Sequence, residues 1–165
     1  MLDQLIQLVE QHASNTIVNN SAIPNQHNGA AIKEVAQQIF NGLQSHATSG
    51  NFQQLAGLFQ GGTANMSSHP IVTQLVSSVA TSVSSKFGVS TQAAQSMASN
   101  LLPTVMSQLV SKTNNPTDTS FDMSSMMQTF TGNSNFDVSS VLGQLTGGQS
   151  SSLGGLGNMI GKLFG

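Results

Sequence analysis

Proton transfer or metal binding by imidazole in this chain could come only from His12, His27, His46 and His69. No two of them lie three or four residues apart, so no helix face presents a pair of ligands. Each falls near an expected helix end, where an imidazole usually caps the helix or meets solvent. Residues 114–122 gather oxygen ligands in Asn114, Asn115, Asp118 and Asp122, but lack the glycine and closing glutamate of a calcium loop. A turn followed by a helix cap accounts for them. Serine is abundant, yet there is no G-x-S-x-G, and no serine stands three residues before a lysine. Residues 157–163 have the look of a phosphate loop, but the spacing is one residue short and Leu163, not Ser or Thr, follows Lys162. The eight methionines, Met123, Met126 and Met127 among them, read as core filler. The expectation is no catalytic residue, no bound metal and no cofactor.

Composition supports that expectation. Ser, Thr, Asn and Gln make up 69 of the 165 residues, and charged residues only 6%, against about 25% in an ordinary domain. Four lysines, no arginine and six acids leave a net charge of −2. So few cations cannot neutralise a run of phosphates, which excludes nucleic acid as an expected partner. There are too few for a polybasic membrane patch as well. Cysteine is absent, so disulfides, thiolate metal sites and cysteine nucleophiles are excluded. The first ten residues interleave Asp3, Gln4, Gln7 and Glu10 with apolar side chains and so do not read as a secretory signal. No apolar run approaches the ~20 residues of a membrane helix. The expected location is cytoplasmic, export by another route aside.

The apolar residues are patterned, which sets this chain apart from a disordered one of similar polarity. Leu2, Leu5, Ile6, Val9 and Ala13 form one helical stripe, followed by an amide-rich connector over 18–25. Asn28 reads as the N-cap of a second helix carrying Ile32, Val35, Ala36, Ile39, Phe40, Leu43 and Ala47. Gly42 inside it costs about 0.8–1 kcal/mol against Ala, a cost that makes sense where another helix crosses closely. Phe52, Leu55, Leu58 and Phe59 make a short third helix that ends at Gly61-Gly62. Residues 71–87 are rich in Val, Ser and Thr, and propensity alone favours a strand. The steps of 4, 3, 4 and 4 through Val72, Val76, Val79, Val83 and Phe87 instead predict a helix, opened by Ser68 or His69 with Pro70 in its first turn. Gly88 serves as a left-handed cap with Val89 packing back in Schellman fashion. Ser90 caps the next helix, whose apolar pairs, from Ala93/Ala94 to Leu109/Val110, recur every four residues. Such a stripe drifts around the helix, so this helix is contacted on several sides and is the central one. Pro103 is expected to kink or break it. The two helices around Gly88 make an antiparallel hairpin, with Val76, Val79, Leu101, Leu102 and Val105 buried together.

Beyond Lys112 comes a loop and then a fifteen-residue repeat. Residues 120–132 and 135–147 share Phe, Asp, Ser, Ser, Thr and Gly in place. Asp122 and Asp137 read as N-caps, and Phe121 and Phe136 as staples onto Met126 and Val141. Glycines stop both helices. A last apolar stripe runs Leu153, Leu156, Ile160, Leu163, Phe164.

Several stretches together resemble a bacterial family of unknown function, domain family 937, to which the YidB-like proteins are related. They are Val18-Asn19-Asn20, Ile23-Pro24-Asn25, His69-Pro70-Ile71-Val72, Lys86-Phe87-Gly88, Leu102-Pro103, Lys112-Thr113-Asn114-Asn115-Pro116, Ser120-Phe121-Asp122 and Leu145-Thr146-Gly147-Gly148. The resemblance implies a small, mostly helical bacterial protein and brings no activity with it. The expected fold is all-α, with a helical domain over 1–112 and a segment over 113–165 of short capped helices that partly folds back on it. The expected role is a non-catalytic structural or interaction protein whose partner is itself, as an oligomer or filament, or another protein. The alternatives are a hydrolase or binding protein with an unrecognised pocket, and a membrane-surface protein acting through the C-terminal stripe.

Overall fold

The three-and-four spacing of apolar residues becomes six α-helices among the residues that the computed structural model describes, 1–49 and 51–132. They are α1 (Leu2–His12), α2 (Asn28–Thr48), α3 (Phe52–Gln60), α4 (Pro70–Phe87), α5 (Thr91–Thr113) and α6 (Met123–Thr131). No strand occurs among the described residues, and the fold is all-α. One continuous buried cluster runs from Leu5 in α1 to Phe130 in α6.

The Val-rich segment is helical, against its strand propensity. His69 caps α4 by accepting the Ile71 N–H on Nδ1 at 3.3 Å, and Pro70 occupies the first turn. Val72, Val79 and Val83 are buried and Val76 is half-buried. Gly88 ends α4 at φ 66°, a left-handed conformation that glycine adopts without strain. Its N–H bonds the Ser84 carbonyl at 3.1 Å, the single-bond form of the left-handed cap. The next residue, Val89, is buried. Ser90 Oγ then accepts the Ala93 N–H and starts α5.

Helix α5 packs on α1, α3 and α4, and buries residues around much of its circumference, among them Ala94, Met97, Leu101, Leu102, Met106 and Val110. Pro103 does not break it: α5 is continuous from Thr91 to Thr113. The carbonyl that Pro103 leaves without a helical donor belongs to Ser99, an exposed residue.

At its start, α2 differs from the expectation. Asn28 is its first residue, in right-handed helical geometry, and His27 holds the cap position without a side-chain cap bond. The Asn28 carboxamide instead donates toward Asn25 Oδ1 and the Val18 carbonyl, at 3.4 and 3.5 Å, tying the helix start to the preceding connector. That connector begins with a π-helical turn, Ser14–Val18, absent from the apolar pattern because one extra residue in a turn leaves no periodic trace.

After α5 the chain turns back and closes the core. Phe121, Met126, Met127 and Phe130 are all buried, and the Phe130 ring meets Phe40 of α2 edge-on, with centroids 5.4 Å apart. These four apolar residues of the first repeat unit are therefore covered within the protein itself, with α6 packed on α2. Asp122 caps α6 as expected, with Oδ2 accepting the Ser125 N–H at 3.0 Å, and Gly132 ends it at φ 68°. Asp122→Ala is expected to cost about 0.5–2 kcal/mol, read as a shift in urea midpoint with an unchanged m-value. The second repeat unit, with Phe136 and Asp137, and the stripe from Leu153 to Phe164 lie outside the described residues.

Candidate functional site

Helices α2 and α4 run antiparallel and cross where α2 has no side chain. A Cβ added to Gly42 would collide with Leu75 Cδ2, so glycine there is what lets Leu75 seat against α2. Two features flank this crossing along the seam.

Toward the Gly88 turn lies Glu34, the one buried charged residue of the described core, 5% exposed. Its Oε1 accepts hydrogen bonds from Ser82 Oγ and from Gln38 Nε2 (2.9 Å), and Oε2 pairs with Lys86 Nζ. Burial pushes the Glu34 carboxyl up, but the bonds from Lys86, Ser82 and Gln38 and the lysine charge outweigh it and hold the group below its ordinary range. Ser82 and Lys86 stand one helical turn apart on α4 and share this carboxylate, which has the outline of an activated serine. The electrostatics oppose that reading. A carboxylate held low is a poor proton acceptor, and the lysine is spent on the same carboxylate. The cluster is a clamp between two helices. Sequence reading missed it because a charged residue in a helix is read as exposed, and only the tertiary fold brings Lys86 to Glu34.

Toward the other end of the seam is a pocket of about 270 Å³ lined by Gln38, Asn41, His46, Gln74, Leu75 and Ser78. It adjoins a shallower cleft along Ser77, Thr81 and Ser85, with Gln38 and Ser78 common to both. His46 Nδ1 is buried and has no hydrogen-bond partner. His69 caps α4 close by, and burial first, then the His46 charge, lowers the pKa of its imidazole. Both histidines sit at helix ends, as expected, and so do His12 and His27. The His27 ring lies 5.9 Å from that of Phe87.

The oxygen-rich loop is committed to structural bonds, and Asn114 donates to the Phe59 carbonyl of α3 at 2.8 Å. Asp118 pairs with Lys112 at 2.9 Å and accepts the Ser120 N–H, and both lower its pKa. Asn115 Oδ1 accepts from Thr117, and Asp122 is the α6 cap. Among the described residues no group of three or more His, Asp or Glu comes together to hold a metal, and no helix is long and apolar enough to cross a membrane.

Comparison with known proteins gives one match. The family model described as a bacterial protein of unknown function (DUF937) covers residues 69–165, from the α4 cap onward. No curated protein and no solved structure matches the chain.

Proposed function

The chain belongs to the DUF937 family of bacterial proteins of unknown function, and from that premise we propose that it is a non-catalytic interaction protein that associates with copies of itself. The observation that carries this reading is the α4–α5 hairpin. From Pro70 to Ser111 its one ionisable side chain is Lys86, and that lysine is already paired with Glu34. Its exposed residues are instead hydroxyls and carboxamides: Ser77 and Thr81 on α4, Gln95, Ser99, Asn100 and Thr104 on α5.

In a two-fold contact each group meets the same surface on its partner. A charged face repels its own copy. Hydroxyls and carboxamides both donate and accept, so they pair with their own kind without desolvating an ion. A net charge of −2 adds little long-range repulsion. Apolar exposure does not carry this reading, since the one large hydrophobic residue exposed among the described residues is Val18.

Light scattering across a concentration series tests it. The expected result is a mass that rises with protein concentration, and a return to monomer when Ser77, Thr81 and Ser99 are changed together to Lys. A monomer mass at high micromolar concentration, unchanged by deleting residues 149–165, removes the proposal.

A further inference from the structure

We propose that Asn28-Gly29 is a self-modification site, where the Asn28 carboxamide is hydrolysed through a cyclic imide and the connector before α2 is released. The reaction needs only water and does not depend on self-association.

The dipeptide Asn-Gly occurs twice in the chain, at 28–29 and 41–42. Glycine leaves its own amide nitrogen unshielded, because it has no Cβ and moves freely about its backbone bonds. The Gly29 nitrogen gives up its proton and attacks Asn28 Cγ, closing a five-membered imide. The Cγ–Nδ2 bond breaks, and ammonia leaves with the proton. Water then adds to one of the two ring carbonyls. Cleavage of that carbon–nitrogen bond returns a proton to nitrogen and leaves a carboxylate, on the side chain as aspartate or in the main chain as isoaspartate.

The fold separates the two sites. Ring closure requires rotation of Asn28 out of its helical ψ of −47°. Gly29 is exposed and lies in the first turn of α2, whose amides have no carbonyl partner within the helix. The Asn25 carbonyl, four residues back, already takes the Asn28 N–H. Rotation there opens only a helix end, where local opening costs least. Asn41-Gly42 lies well inside α2, where each amide bonds the carbonyl four residues back. Rotation there would break the helix on both sides.

The product cannot keep the Asn28 contacts. Asn28 Nδ2 donates toward the Val18 carbonyl and Asn25 Oδ1, and Asn28 Oδ1 is buried with no partner. A carboxylate has no hydrogen to donate. The Asn25 carboxamide can turn its N–H₂ toward the new anion, but the Val18 carbonyl can only accept. Repulsion therefore replaces the tie between the connector and α2. Isoaspartate also puts an extra carbon into the backbone of the first turn.

The test ages the full chain at mildly alkaline pH in water enriched in heavy oxygen. Cleavage after lysine then separates residues 1–33 from 34–86, one Asn-Gly on each peptide. Tandem mass spectrometry is expected to find heavy oxygen at residue 28 several-fold sooner than at 41, with the two rates alike in concentrated urea. Gly29→Ala is expected to slow the reaction at 28 several-fold and to keep the fold, since a Cβ there meets nothing within 4 Å. The acidic form, separated by anion exchange, is expected to exchange amide hydrogens faster over 18–28, with the α4–α5 hairpin unchanged. Equal rates at 28 and 41 in the folded chain overturn the proposal, as does the same preference for 28 in urea, which would assign it to local sequence. An unchanged rate in Gly29→Ala overturns the imide route, and unchanged exchange over 18–28 overturns the release.

Discussion

Leu101→Ala is expected to destabilise the protein by about 2–5 kcal/mol, measured by urea unfolding at equal m-value. Leu101 is 1% exposed, on the helix that α1, α3 and α4 all pack against. Truncation removes most of a side chain from a place where several helices meet. None can move inward to fill the gap without leaving another neighbour, so the upper half of the range is expected. The same change on a peripheral helix, Leu8→Ala in α1, is expected at the lower end, because α1 can shift toward the core. A loss below half a kcal/mol for Leu101 would mean that α5 is not the centre of the fold.

The second large effect concerns the α2–α4 clamp. Lys86→Met leaves the Glu34 carboxylate buried with only the neutral donors Ser82 and Gln38, and is expected to cost about 1–3 kcal/mol at pH 7. The value falls short of a fully buried pair because the Lys86 side chain is 56% exposed and its charge is screened. The pH dependence separates this from lost packing. The folded carboxyl titrates below the ordinary glutamate value of 4.5. Its stabilisation is therefore complete above that value and is lost as pH falls through the lower, folded one. Once Glu34 is protonated it no longer needs the lysine, so the penalty of Lys86→Met is expected to fade below pH 4.5. A penalty of equal size at pH 7 and under acid conditions would assign the effect to the lysine stem. Glu34→Leu combined with Lys86→Met is expected to recover most of the loss, since an apolar pair replaces ions that were costly to bury.

What could be read from the sequence was what repeats along one helix. The steps through Val72, Val79 and Val83 identified α4 against its propensity, because the side of the helix that is buried shows in spacing even when the residue types prefer strands. Gly42 announced a close crossing, and Leu75 provides it. Asp122 announced a cap, because capping needs only residues within one turn. The misreadings concern groups whose partners are distant in sequence or whose geometry is set by the connector. Asn28 has the right chemistry for a cap, but the preceding short helical turn already places it in helical geometry and leaves the cap position to His27. Pro103 was expected to kink or break α5; the helix is not broken and runs on from Thr91 to Thr113. Glu34, Ser82 and Lys86, and the pocket beside Gly42, join residues 28 to 52 positions apart, which no single-helix pattern contains.

The edge-on contact between Phe40 and Phe130 has a consequence on the ribosome. Synthesis at about 5–20 residues per second separates the two rings by roughly 5–20 s. Through that interval the part of α2 that packs on α6 lacks its cover, while the α4–α5 hairpin can already close around Gly88 through contacts local in sequence. The arrival of Phe130 covers that face of α2, so a chain that terminates early, before Phe121, is left with it open and is the form that chaperones and proteases would meet.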